Sequence, residues 1–145
     1  MKRLTLLILV FAFPVWIYAQ QTATIKINNM HIEINGNKVD FDESYEFTLT
    51  DGVMSSFILF DQNEMKYGHE FQYKKGTNRL KLVRRGYASK NGLEPKFAKQ
   101  KKDMQEIKVS IPGSISKRVV DNIVVDKENL DAINVSFNYE LIYKQ

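Results

Sequence analysis

The first residues to test for chemistry are the two histidines. His31 and Glu33 lie two apart, a spacing that puts both side chains on one face of an extended segment and makes half of a metal site. A zinc centre takes roughly four ligands. The chain has no cysteine, and no further histidine lies close by to complete the set. The pair His69-Glu70 is weaker still, because adjacent residues of a strand point to opposite faces. Asp40, Asp42 and Glu43 cluster as paired carboxylates for glycoside hydrolysis would. They follow Asn35-Gly36-Asn37, however, and acids beside such a tight-turn signal are ordinary turn chemistry. No serine sits in a nucleophile-elbow pattern, and the few glycines form no phosphate-cradling loop. The expectation is therefore a protein without catalytic residues, bound metal or cofactor. A small hydrolase with an unrecognised site is the alternative.

Charge is the property that is distributed unevenly. From Gln20 to Met65 there are two basic and eight acidic residues, a net −6. From Lys66 to Arg118 there are fifteen basic and four acidic residues, a net +11, and from Val119 to Gln145 the net is −3. The basic segment supplies the candidate binding residues: Lys74, Lys75, Arg79, Lys81, Arg84, Arg85, Lys96, Lys99, Lys101 and Lys102. Such a concentration attracts anions over about a Debye length. The expected partners are an anionic polysaccharide, lipid headgroups or an acidic protein. Nucleic acid is not expected, since no nucleic-acid motif is present. The competing reading is a solvated face balanced by the acidic flanks.

The elements that must position these residues are strands. Ala23, Ile25 and Ile27 alternate with Thr24 and Lys26, and Met30, Ile32 and Ile34 with His31 and Glu33. A short strand is expected at Val39 to Phe41, and Tyr45, Phe47 and Leu49 alternate again. Val53 to Phe60 is apolar on both faces apart from two serines, which predicts a central strand. Phe71 and Tyr73, then Leu80 and Leu82, continue the pattern across a turn at Gly76-Thr77-Asn78. Arg79, Lys81 and Arg85 share the outward face of that second strand if it is regular. Gly86 to Met104 reads as a long basic loop with a short helix candidate from Phe97 to Met104. Strands resume at Gln105 to Ile111 and Val119 to Val125 and end in the long alternation from Ile133 to Tyr143. The aromatic residues Phe47, Phe57, Phe71, Tyr73, Phe137 and Tyr139 fall at inward positions and read as core.

About 8–10 strands with frequent turns predict an all-β fold, an antiparallel sandwich of Ig-like or jelly-roll-like form, with a β-barrel as the alternative. The front of the chain has a different character. Lys2 and Arg3 precede an apolar run to Tyr18, broken late by Pro14, and Ala19 is the small residue at its exit. This is the three-part layout of a secretion signal cleaved near Ala19. It leaves residues 20–145 as one domain. The run is short for a membrane span, so none is expected in the mature chain. With no cysteine after the run, a lipid anchor is not expected either. Export without disulfides points to a bacterial periplasmic or secreted protein held together by burial alone. Function is then expected to be binding. The first reading is a non-catalytic interaction module using the basic segment. The second is an accessory subunit of an envelope assembly joined by edge-strand pairing, with the last strand as the candidate edge.

Overall fold

A computed structural model describes residues 22–41, 43–76, 79–98, 103–108 and 113–143. Ten strands are described and no helix. They form two antiparallel sheets, stacked as a sandwich and not closed into a barrel. Sheet A contains β1 (Thr22–Ile34), β2 (Asn37–Val39), β3 (Tyr45–Thr50), β9 (Gly113–Asp126) and β10 (Asp131–Tyr143). Sheet B contains β4 (Ser55–Gln62), β5 (Met65–Lys75), β6 (Arg79–Lys90), β7 (Lys96–Phe97) and β8 (Asp103–Lys108).

The two alternating runs at the start of the chain form one strand. Ile25 and Ile27 face inward at odd positions, whereas Met30 and Ile32 do so at even ones. Keeping both sets in the core needs one extra residue. Asn29 supplies it, in the left-handed region at φ 51°, where the register against β10 shifts between Asn28 and His31. Asparagine tolerates that conformation better than most side chains. β2 and β3 pair in succession along the same edge of β1, β10 lies on its other side, and β9 closes the sheet. The last strand is therefore central, contrary to the expectation that it forms an edge. The edge beyond it is β9.

Sheet B is a meander, with β4 at one edge and both β7 and β8 paired to β6 at the other. The run at Val53 to Phe60 is thus an edge strand and not a central one. Its second apolar face is solvated: Ile58 is 50% exposed. The expected loop from Gly86 is also shorter than the sequence suggests. Gly86 to Lys90 continues β6 in unbroken register with β5, and Phe97, Asp103 and Met104 belong to strands. The helix candidate loses both its ends in this way, and its middle lies outside the described residues. The sequence conceals this because the inward positions after Leu82 are Arg84, Gly86 and Ala88, not large apolar residues.

Between the sheets, β5 contributes Tyr67, Phe71 and Tyr73, and β10 contributes Phe137, Tyr139 and Tyr143, all fully buried. Their rings meet edge to face, as Phe71 does with Tyr139 at 5.9 Å and Tyr73 with Tyr143 at 6.2 Å. Aromatic pairs prefer this geometry over a face-to-face sandwich. At the β3–β4 side the stack of Phe47 on Phe57, 3.9 Å between centroids, joins the two sheets.

Candidate functional site

Alternation along β5 and β6 decides which cations reach solvent. Even residues of β5 and odd residues of β6 form the outer face of sheet B. Lys74 and Lys81 are both exposed there and stand directly opposite each other as cross-strand partners. In the next row Gln72 faces Val83, and in the row after it Glu70 faces Arg85. Arg85 is held twice. Its Nη2 donates to Glu70 Oε2 at 2.9 Å, and its guanidinium lies 3.7 Å over the ring of Phe97. Lys66, further along, is 3.7 Å from Asp61.

The remaining expected binding residues separate. Lys75 lies over the Tyr143 ring at 4.9 Å. Arg79 starts β6 opposite Lys108 of β8. Lys96 is exposed on β7, opposite Ala88 and so at the far end of the sheet from Lys74. Lys99, Lys101 and Lys102 lie outside the described residues. Arg84 does not belong to the surface group at all. It shares the inward parity of Leu80 and Leu82 and is 6% exposed.

Arg84 ends a polar chain that crosses the core. Its Nη1 lies 3.5 Å from His69 Nε2, His69 Nδ1 lies 2.9 Å from Tyr67 Oη, and Tyr67 Oη donates to Asp121 Oδ2 at 2.6 Å. Tyr67 and His69 are on β5, Arg84 is on β6, and Asp121 comes from β9 of the other sheet. The chemistry of the ends fixes the protons between them. Arginine only donates and a carboxylate only accepts. His69 Nε2 is therefore the acceptor, Nδ1–H donates to Tyr67, and Tyr67 donates to Asp121. Burial holds His69 neutral, lowering its pKa to about 3, with the Arg84 charge adding to the shift. Burial raises the Asp121 carboxyl, opposed by the Tyr67 hydrogen bond and by Arg84. Tyr67 is raised well above its ordinary value, first by burial and then by Asp121.

Gly86 makes room for this chain. A Cβ there would sit 1.9 Å from Asp121 Oδ2 and 3.0 Å from Tyr67 Oη. The carboxylate of sheet A thus rests against the bare backbone of sheet B. No sequence motif announces the group, but parity does. Asp121 alternates in phase with the buried Val119, Ile123 and Val125, and Arg84 with Leu82. A charged residue at a core position of a regular strand is the signal that finds both.

Gly68 has a similar role on the outer face. A Cβ there would meet Tyr87 Cζ at 2.3 Å. The Tyr87 side chain lies across β5 at this glycine and reaches β4, where its hydroxyl is 2.7 Å from Ser56 Oγ. Phe97 lies beside it, 6.0 Å between ring centroids.

His31 and Glu33 do share a face, the outer face of sheet A. There they line a shallow depression of about 280 Å³ with Lys38, Asn134, Ser136 and Val120. Glu33 accepts from Asn134 Nδ2 at 3.2 Å. Among the described residues no group of three or more histidine or acidic side chains could hold a metal ion. Comparison of the chain with protein-family models, with curated proteins and with solved structures finds no match.

Proposed function

We propose that the chain is an exported, non-catalytic binding module that holds an anionic partner on the outer face of sheet B. One observation carries this reading. Lys74 and Lys81 face each other on neighbouring strands and both are exposed, with Glu106 of β8 opposite Lys81 on its other side by register. Like charges directly opposite in a sheet are destabilising. Other cations of the same face are neutralised: Lys66 by Asp61 and Arg85 by Glu70. A site that binds an anion has reason to keep the first arrangement and no use for the second.

Export rests on the layout of residues 1–19, and the mass of the protein recovered from its native host tests it. A chain beginning after Ala19 is expected; one retaining Lys2 and Arg3 overturns the export reading. Binding is tested on an anionic resin. Lys74→Gln/Lys81→Gln is expected to elute at clearly lower salt than the parent, whereas Lys66→Gln is expected to move little. The single change Lys74→Glu separates function from stability. It is expected to weaken retention while stabilising the fold by about 0.2–1 kcal/mol, because it replaces a like-charge pair with an opposite one. Unchanged elution of the double variant overturns the proposed site.

A further inference from the structure

We infer that the anionic partner is an acidic polysaccharide lying along the outer face of sheet B, its rings against Tyr87 and Phe97 and its charges toward Lys74 and Lys81. This rests on the anion-binding reading and adds the chemical class of the ligand. The added evidence is a row of apolar groups that crosses the solvated face of the sheet. By register Ile58 is opposite Gly68, Gly68 opposite Tyr87, and Tyr87 opposite Phe97. Ile58 and Phe97 are 50% and 44% exposed. Because Gly68 has no side chain, the hydroxyl end of Tyr87 lies across the strand at that point, tied to Ser56. Aromatic surface of this kind, with an apolar body and a polar rim, suits a ligand that is itself apolar on one face and hydroxylated at its edges.

The rows on either side carry hydrogen-bonding groups. Ser56, Glu70 and Arg85 lie on one side; Lys66 and Ser89 lie on the other. A pyranose has C–H groups on its ring faces and hydroxyls around its rim, and so matches both the apolar row and its flanks. An acidic polypeptide or a phosphate headgroup offers no such faces. The lysine pair lies six residues along β5 from Gly68, about 20 Å at the rise of a strand. One ligand that uses both features must be a polymer. Arg85 stands between them, with its guanidinium on the Phe97 ring.

The test compares two polyanions by calorimetry or affinity electrophoresis at low salt: a polyuronate of sugar rings and polyglutamate of matched charge. The full mature chain is expected to bind the polyuronate more tightly. Phe97→Ala, at an exposed edge position, is expected to weaken polyuronate binding about 3- to 10-fold, the scale of one lost ring contact. It is expected to leave polyglutamate binding unchanged. Lys74→Gln/Lys81→Gln should weaken both. Equal binding of the two polymers, or a Phe97→Ala variant that loses neither, overturns the polysaccharide assignment and leaves the anion site standing. Failure to bind either polymer overturns both.

Discussion

Two of the polar links between the sheets start from the same inward face of β6. Arg84, next to Gly86, belongs to the first, and Lys90 makes the second at the end of the strand. The first is sealed: His69, Tyr67 and Asp121 are at most 2% exposed, and the chain of hydrogen bonds runs from one sheet to the other through the middle of the core. The second is at the rim. Lys90 Nζ donates to Asp131 at 2.5 Å and lies 3.7 Å from Asp126, with Asn35 also bound to Asp131. The groups are comparable, a cation on sheet B and carboxylates on sheet A, but the medium differs. At the rim water competes for every partner, so losing one leaves the others solvated. In the core a lost partner leaves a buried polar group uncompensated, a cost of several kcal/mol. Depth, more than the identity of the groups, makes the inner link decisive for the fold.

The sharpest way to break this contrast is Gly86→Ala. The new methyl group needs the place where Asp121 Oδ2 sits. The carboxylate must withdraw from Tyr67, which leaves the buried chain open at its acidic end. A loss of about 3–5 kcal/mol in urea unfolding is expected, the range for breaking a buried charged network. A double-mutant cycle with Asp121→Ala isolates the cause. If the methyl group acts through the carboxylate, the second substitution costs far less in the Gly86→Ala background than in the parent. Additive losses would show that Gly86 is needed for its backbone alone.

How far the sequence reveals these links follows the same division. Alternation discloses the sandwich, the aromatic core and the outward face of Lys81 and Arg85, because each depends on side chains two apart. It places Glu70 and His69 on opposite faces, as found. It also contains the parity of Arg84 and Asp121. That parity is overridden when Arg84 is grouped with its basic neighbours by composition instead of by phase. Strand order is absent from it. Nothing in the alternation of β10 distinguishes a strand flanked by β1 and β9 from an edge, and nothing in Val53 to Phe60 says that its second apolar face stays wet. The partnership of Gly86 with Asp121 joins residues from different sheets and far apart in the chain. Only folding brings them together.

Acid sharpens the contrast next. The folded pKa of His69, about 3, lies below its ordinary value of 6.5. As pH falls, the unfolded chain takes up the proton first, so this contribution to stability is complete above about pH 6.5 and is lost progressively toward 3. The slope is about 1.4 kcal/mol per pH unit. Asp121 acts in the opposite sense. Its raised folded value means that, as pH falls, the folded protein takes up this proton before the unfolded chain does, so its contribution is lost as pH rises through that value. Stability is therefore expected to fall just below pH 6.5 and to level off where Asp121 takes up its proton. Urea unfolding at pH 7, 6 and 5 measures this. His69→Gln, neutral throughout, should abolish the decline below neutrality; a decline that persists in that variant would assign it elsewhere.

The rim link is expected to give the smallest effect. Hydrogen bonding to Asp131 raises the Lys90 ammonium, and Lys90 and Asn35 lower Asp131, so both stay charged across the neutral range. Lys90→Met keeps most of the aliphatic stem, which is the part that packs. The Asp131 carboxylate retains Asn35, whose Nδ2 donates at 2.7 Å, and has water as a further partner. A fall in melting temperature of at most a few degrees is expected, smaller still in high salt, where a partly exposed ion pair is screened. The inner link should not respond to salt in this way, since no ions reach it. Should Lys90→Met prove as damaging as Gly86→Ala, and equally so in molar salt, depth would not be what separates the two links. The turns at Asn35 and Asp126–Asp131, gathered around Lys90, would then share responsibility for holding the sheets together.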